Sequence, residues 1–266
     1  MSHDDGKTIR DVKFAEYGSR ELFLDLYLPD EAATALPTVM MIPVGGWRNS
    51  QRPEQPPWLV DIGFAVAAID CRVHPEVTAP ATVFDCKAGV RWLRAKGHEY
   101  GLDPERIGTW GSSAGGHLSA LMAVTGEVDE LEGEGGNPGV SSRIQAACDQ
   151  CGPTDLERMA DTGLAAESPV LQEVTDNFVG GSVAEHRDTA RLVSPLGYVS
   201  SSCAPILILH GDEDPTVPVA ESVIFHQALT AAGVDATLHV LEGEKHGWDA
   251  ALTRDIIVEF FRRTLG

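Results

Sequence analysis

Short, continuous apolar runs alternating with longer amphipathic stretches narrow the fold of this sequence more than any other feature. Residues 38–43 and 64–70 are apolar almost throughout, as strands must be when both faces of their sheet are covered. Residues 80–96 follow with helical spacing, and Val83, Ala88, Val90, Trp92 and Leu93 supply much of the apolar side. Residues 106–111 read as a strand that passes almost at once into a helix over 114–124. Strands are expected at 144–151, 205–210 and 236–241, with helices at 219–232 and 249–265. Residues 11–17 and 22–28 add a leading hairpin or antiparallel ribbon. The order predicts an α/β class: a mostly parallel, eight-stranded sheet with helices on both faces.

At 266 residues the chain fits one such domain, 1–266, better than two small ones. Residues 126–142, rich in Gly and Glu, read as a surface loop. Residues 152–204 lack a convincing strand and are too long for a simple connection, so they are expected as a helical excursion over the sheet's carboxyl edge. Forty acidic residues against 20 basic ones give a net charge of −20. That field disfavours nucleic acid and anionic membrane as partners. No apolar run is long enough to span a bilayer. The amino-terminal residues are acidic and polar rather than signal-like, so the chain as it stands reads as cytoplasmic. The five cysteines are scattered, which does not suggest a disulfide framework. Cys148 and Cys151 form a Cys-x-x-Cys pair, but neither a second metal-ligand pair nor a thioredoxin-like context accompanies it. They read as small residues ending a buried strand.

Gly111-Ser112-Ser113-Ala114-Gly115 is the one Gly-x-Ser-x-Gly pentad in the chain. The pentad alone is weak evidence; its place between a strand and a helix gives it weight. A serine there must turn sharply, and the turn exposes its hydroxyl above the sheet at a helix amino terminus. The bland alternative is a glycine-rich turn without chemistry. A serine hydroxyl also needs a base, and histidine suits that task near neutral pH. In such folds the acid and then the histidine follow the serine. His226 falls in an expected helix and His239 in the last strand, while His210 precedes the candidate acids. His246 lies between the last strand and last helix and is the expected base. Asp214 is the expected acid, with Asp212 as a local rival suited to bracing the turn and Asp155 as a second rival.

The amide of Ala114, directly after the serine, is expected to donate to an oxyanion. Further donors should come from the loop Val44-Gly45-Gly46-Trp47-Arg48. Asp25-Leu26-Tyr27-Leu28-Pro29, Gly45-Gly46-Trp47-Arg48, Asp85-Cys86-Lys87, residues 101–107 and 111–118, Gly152-Pro153-Thr154-Asp155 and residues 210–214 occur in this order along nearly the whole chain. In these stretches the sequence resembles the α/β-hydrolase esterases and lipases related to hormone-sensitive lipase. The resemblance is strongest to the branch of feruloyl and acetyl-xylan esterases and kynurenine-formamidase-like enzymes. It implies that the amides of Gly45 and Gly46 complete the oxyanion hole. With only about forty residues before the glycine loop, a fold without the large amino-terminal cap of the bigger carboxylesterases is expected. The usual His-Gly-Gly-Gly is Pro43-Val44-Gly45-Gly46 here, which changes how the loop is braced and how acyl groups fit near Val44.

The leading expectation is therefore a cofactor-free, metal-independent serine hydrolase acting on a small-molecule ester through an acyl-enzyme on Ser113. A small-amide or arylformamide hydrolase with the same three residues, and an idle hydrolase-fold binding protein, are the alternatives. A metal-dependent hydrolase is disfavoured because no His-Glu-x-x-His cluster occurs. Val44 and Trp47 are the candidate substrate-lining residues, Trp47 being equally suited to packing the loop. His117 reads as a buried structural histidine, and Arg72 and Asp85 as structural ion-pair partners. A homo-oligomer is left open.

Overall fold

The computed structural model describes residues 7–31, 34–163 and 168–266. Residues 1–6 of the polar amino terminus and 164–167 of the expected excursion lie outside the described residues.

The leading ribbon consists of β1 (Lys7–Tyr17) and β2 (Arg20–Leu28), paired antiparallel across a tight turn at Gly18. β3 (Leu36–Met41), β4 (Ala65–Ile69) and β5 (Leu102–Ser112) follow, then β6 (Ala146–Gln150), β7 (Ile206–Gly211) and β8 (Ala236–Leu241). They form one eight-stranded sheet in the order β1-β2-β4-β3-β5-β6-β7-β8. β2 meets β4 antiparallel, and every pairing from β4 onward is parallel. Every residue of β3, β4 and β7 is buried, which is why these segments carry no polar alternation. β8 closes the edge and is only half-buried.

Helices α1 (Pro57–Asp61) and α8 (Ala250–Leu265) cover one face, where Phe64, Trp110, Ile257 and Phe261 form a core. Helices α2 (Ala81–Lys96), α3 (Ala114–Val124) and α7 (Ala220–Ala231) cover the other. α1 was not expected; its five residues, opened by Pro57, are too short to show a helical period. β5 begins four residues earlier than the apolar run indicates, because Leu102 pairs with Leu36 beyond an irregularity in the register.

The glycine-rich stretch 126–142 is tied to the body of the protein. Lys87 and Arg91 of α2, both almost fully buried, reach Glu132 at 2.7 and 2.9 Å. Buried cations need such a partner, and Glu132 supplies it from the loop. Between β6 and β7 the described residues include the short α-helices α4 (Leu156–Asp161), α5 (Pro169–Val179) and α6 (Arg187–Leu192). Ser168 caps α5 by accepting the amide of Leu171. The apolar side of α5, with Leu171, Val174 and Phe178 buried, turns inward and meets the loop after β3.

Candidate active site

The carboxyl ends of β5, β6, β7 and β8 converge, and the site is built there. Ser113 sits between β5 and α3 at φ 55° and ψ −119°, a region that non-glycine residues avoid. Such a conformation costs about 1–3 kcal/mol and persists only where the surroundings enforce it. They do so by close approach. A Cβ on Gly111 would stand 2.3 Å from the backbone of Gly115, and one on Gly115 would stand 2.7 Å from the carbonyl oxygen of Ile42. The amide of Ser113 donates to the carbonyl of Gln150 at 2.7 Å, fixing the turn against β6.

His246 lies in the loop between β8 and α8, 133 residues from Ser113 in sequence, yet its Nε2 is 2.8 Å from Ser113 Oγ. Its Nδ1 is 2.7 Å from Asp214 Oδ2. Asp214 follows β7 with its side chain fully buried. Its other oxygen, Oδ1, accepts the amides of Thr216 at 2.7 Å and Val217 at 2.9 Å. Burial opposes the charge on Asp214, but the donors from His210, His246 and the backbone outweigh it and hold the carboxyl far below its ordinary range. With Asp214 ionised, His246 donates through Nδ1 and presents a bare Nε2 to the serine hydroxyl, which donates to it. Burial lowers the proton affinity of His246, whereas Asp214 and then Cys151 raise it, and the balance lies above the ordinary imidazole value of 6.5.

The expected rivals serve elsewhere. Asp212 accepts the amide of Gly243 at 2.7 Å and joins the loops after β7 and β8. Asp155 accepts the amide of Arg158 and caps α4. His117 is fully buried; it donates through Nε2 to the carbonyl of Val193 at 2.7 Å and accepts from Trp47 Nε1 at 3.2 Å. Burial pulls its pKa down to about 4, so it stays neutral. Arg72 and Asp85 pair with each other at 2.7 Å.

Gly45, Gly46 and Ala114 line a cleft of about 320 Å³ together with Ser113 and His246. Its walls are mostly apolar, with Val44, Pro153, Val217 and Val170, Leu171 and Val174 of α5, while Arg48, Ser112 and Thr216 add polar groups. Gly46 has φ 61°, and a Cβ there would meet Val174 Cγ1 at 2.8 Å, so only glycine lets α5 close on this loop. Trp47 both lines the cleft and braces it. Its ring is almost fully buried, stacks on Phe178 at 4.5 Å and donates to His117. These contacts hold a loop in which Pro43-Val44 stands where the resemblance leads one to expect His-Gly.

Two residues at the site escaped the sequence reading. His210, set aside because it precedes the acids, is fully buried with Nε2 3.2 Å from Asp214 Oδ2 and 2.9 Å from the carbonyl of Val217, while Nδ1 meets Ser222 Oγ at 2.7 Å. Its Nε2–H donates to the carbonyl of Val217 and stands beside the same Asp214 oxygen that His246 meets. Cys151, read only as the end of a buried strand, follows β6 at φ 47°, and its sulfur lies within 4.8 Å of ligand atoms of both Asp214 and His246. Its proximity in sequence to Cys148 gave no hint of this, because Cys148 is buried in the core on the α1–α8 face.

A mostly parallel sheet that turns at a strained serine beneath a histidine and a buried carboxylate defines the α/β-hydrolase fold. The chain belongs to the BD-FAE family, whose profile matches residues 24–229. Esterase LipQ of Mycobacterium tuberculosis is 32% identical over 247 residues, which is 89% of this chain and 56% of that protein. This chain spans about half the length of the first curated relatives it matches. Among solved structures, a truncated carbohydrate esterase from gut microbiota superposes with a TM-score of 0.82 at 29% identity, covering 98% of each chain. Thermogutta terrifontis esterase 2, phosphoramylated by tabun, superposes with a TM-score of 0.79 at 26% identity, covering 98% of this chain and 95% of that one.

Proposed function

We propose that this chain is a serine hydrolase that cleaves carboxylic esters of small substrates through an acyl-enzyme. The observation that carries the reading is the unbroken line from Ser113 Oγ through His246 to Asp214, at 2.8 and 2.7 Å. In this reading Ser113 Oγ attacks the ester carbonyl carbon while His246 Nε2 takes the hydroxyl proton. The amides of Gly45, Gly46 and Ala114 receive the developing oxyanion. Asp214 stabilises the imidazolium and takes no proton itself. His246 then gives its proton to the departing alcohol oxygen, leaving an acyl-serine. Water attacks that ester with His246 again as base, and the carboxylic acid leaves.

The apolar walls and modest volume of the cleft favour short acyl groups. The esterase relatives and neighbours support the same chemistry. A panel of short p-nitrophenyl esters, an acetylated sugar, a feruloyl ester and N-formylkynurenine tests it, alongside a fluorophosphonate probe. Ester turnover and probe labelling should both be present in the native chain. Ser113→Ala should lose labelling and cut turnover by about 10⁴-fold or more. Near-native turnover in that variant would remove Ser113 from the mechanism, and turnover confined to N-formylkynurenine would move the substrate class to formamides.

A further inference from the structure

We propose that Cys151, Asp214 and His246 form an inhibitory binding site for a soft divalent cation such as Zn²⁺ or Cd²⁺. One sulfur, one carboxylate oxygen and one imidazole nitrogen lie within 4.8 Å of one another, the one such cluster found among the described residues. This mixed donor set suits zinc-like cations, which take thiolate, imidazole and carboxylate ligands at about 2.0–2.3 Å in tetrahedral geometry. Cys151 is a free, buried cysteine, so its sulfur is already free of solvent. His246 remains 22% exposed by its side chain and lines the cleft, which provides the way in. The net charge of −20 raises the local concentration of any cation.

Asp214 faces Nδ1 of His246, so a cation shared by the two takes the place of the Nδ1 proton. The 2.7 Å separation there must widen by about half an ångström to span a tetrahedral metal. The imidazole proton moves to Nε2, and the thiol of Cys151 releases its proton to solvent. A dication with one thiolate, one carboxylate and a neutral imidazole gives a site of zero net charge, which a buried position favours. The ring then presents N–H to Ser113 Oγ and no longer accepts the hydroxyl proton. Binding therefore removes the base without touching the serine.

Binding rests on the donor set alone; only its inhibitory consequence rests on the proposed esterase activity. The test uses the full chain freed of metal with EDTA. Zn²⁺ added to the native protein should abolish ester turnover, and EDTA should restore it. Cd²⁺ should give the ultraviolet charge-transfer band of a cadmium thiolate. In Cys151→Ala the band should vanish and half-inhibition should need at least about tenfold more Zn²⁺. Cys151→Ser, closer in shape, should behave likewise, and its thermal transition reports whether the fold is intact. Ser113→Ala, without turnover, should bind Cd²⁺ with an unchanged band. A cysteine-dependent band in a protein without ester turnover would uphold the site and sink the proposed function. No thiolate band in the native protein, or equal Zn²⁺ sensitivity in both cysteine variants, would overturn the site.

Discussion

Asp214→Asn replaces one carboxylate oxygen with an amide NH₂ and leaves the shape of the side chain almost unchanged. The structure dictates which way that amide points. At Oδ1 the carboxylate accepts two backbone N–H groups, from Thr216 and Val217, so the oxygen of an asparagine must occupy that corner. The NH₂ then faces His246 Nδ1 and His210 Nε2, both of which meet Oδ2 in the native chain. His246 can accommodate it only by accepting at Nδ1, which puts its proton on Nε2. A protonated Nε2 facing Ser113 cannot take the serine proton. Losing the productive tautomer in such a relay costs about 10⁴-fold in kcat, or about 5 kcal/mol of barrier. Saturation kinetics on a short p-nitrophenyl ester measure this directly, with the thermal transition read beside it to show an intact fold. Asp212→Asn is the control; its carboxylate accepts the amide of Gly243 away from His246, and turnover should stay near native. An Asp214→Asn enzyme within tenfold of the native kcat would refute the tautomer argument.

Ester turnover should rise with pH as His246 becomes neutral, and the inflection of kcat/KM should lie above 6.5, because Asp214 and Cys151 together outweigh burial and favour the charged ring. An inflection below 6 would contradict that balance. Gly46→Ala should lower both the thermal transition and kcat/KM, the latter by about 10²-fold. Its Cβ meets Val174, and φ 61° disfavours any residue but glycine, so the amide would be displaced from the oxyanion position. A native kcat/KM in that variant would exclude the Gly46 amide from the hole. Glu132→Gln strips the carboxylate from two almost fully buried cations and should cost about 3 kcal/mol in denaturant unfolding. A loss under about 1 kcal/mol would mean that water already screens Lys87 and Arg91.

Much of the fold was legible because its cause is local and repetitive. β3, β4 and β7 are apolar along their whole length since both faces are covered, and α3 and β8 begin and end where the pattern places them. α1 was invisible because five residues contain little more than one helical turn. The charged anchor of the 126–142 loop was invisible for a different reason: Lys87, Arg91 and Glu132 carry no joint sequence signal and meet only once α2 is packed.

The sequence by itself determined the class of fold, the strained serine turn and the chain order of serine, acid and histidine. The first two follow from neighbouring residues and from the period of apolar side chains, and the expected order follows from the fold they imply. Only the tertiary structure decided which carboxylate meets the imidazole. Asp212 and Asp214 stand two residues apart on one loop, and packing alone sends the first to Gly243 and the second to His246. It also brought His210, Cys151 and the wall of α5 to the same rim. Those contacts join strands and loops far apart along the chain, and spacing within a sequence carries no record of them.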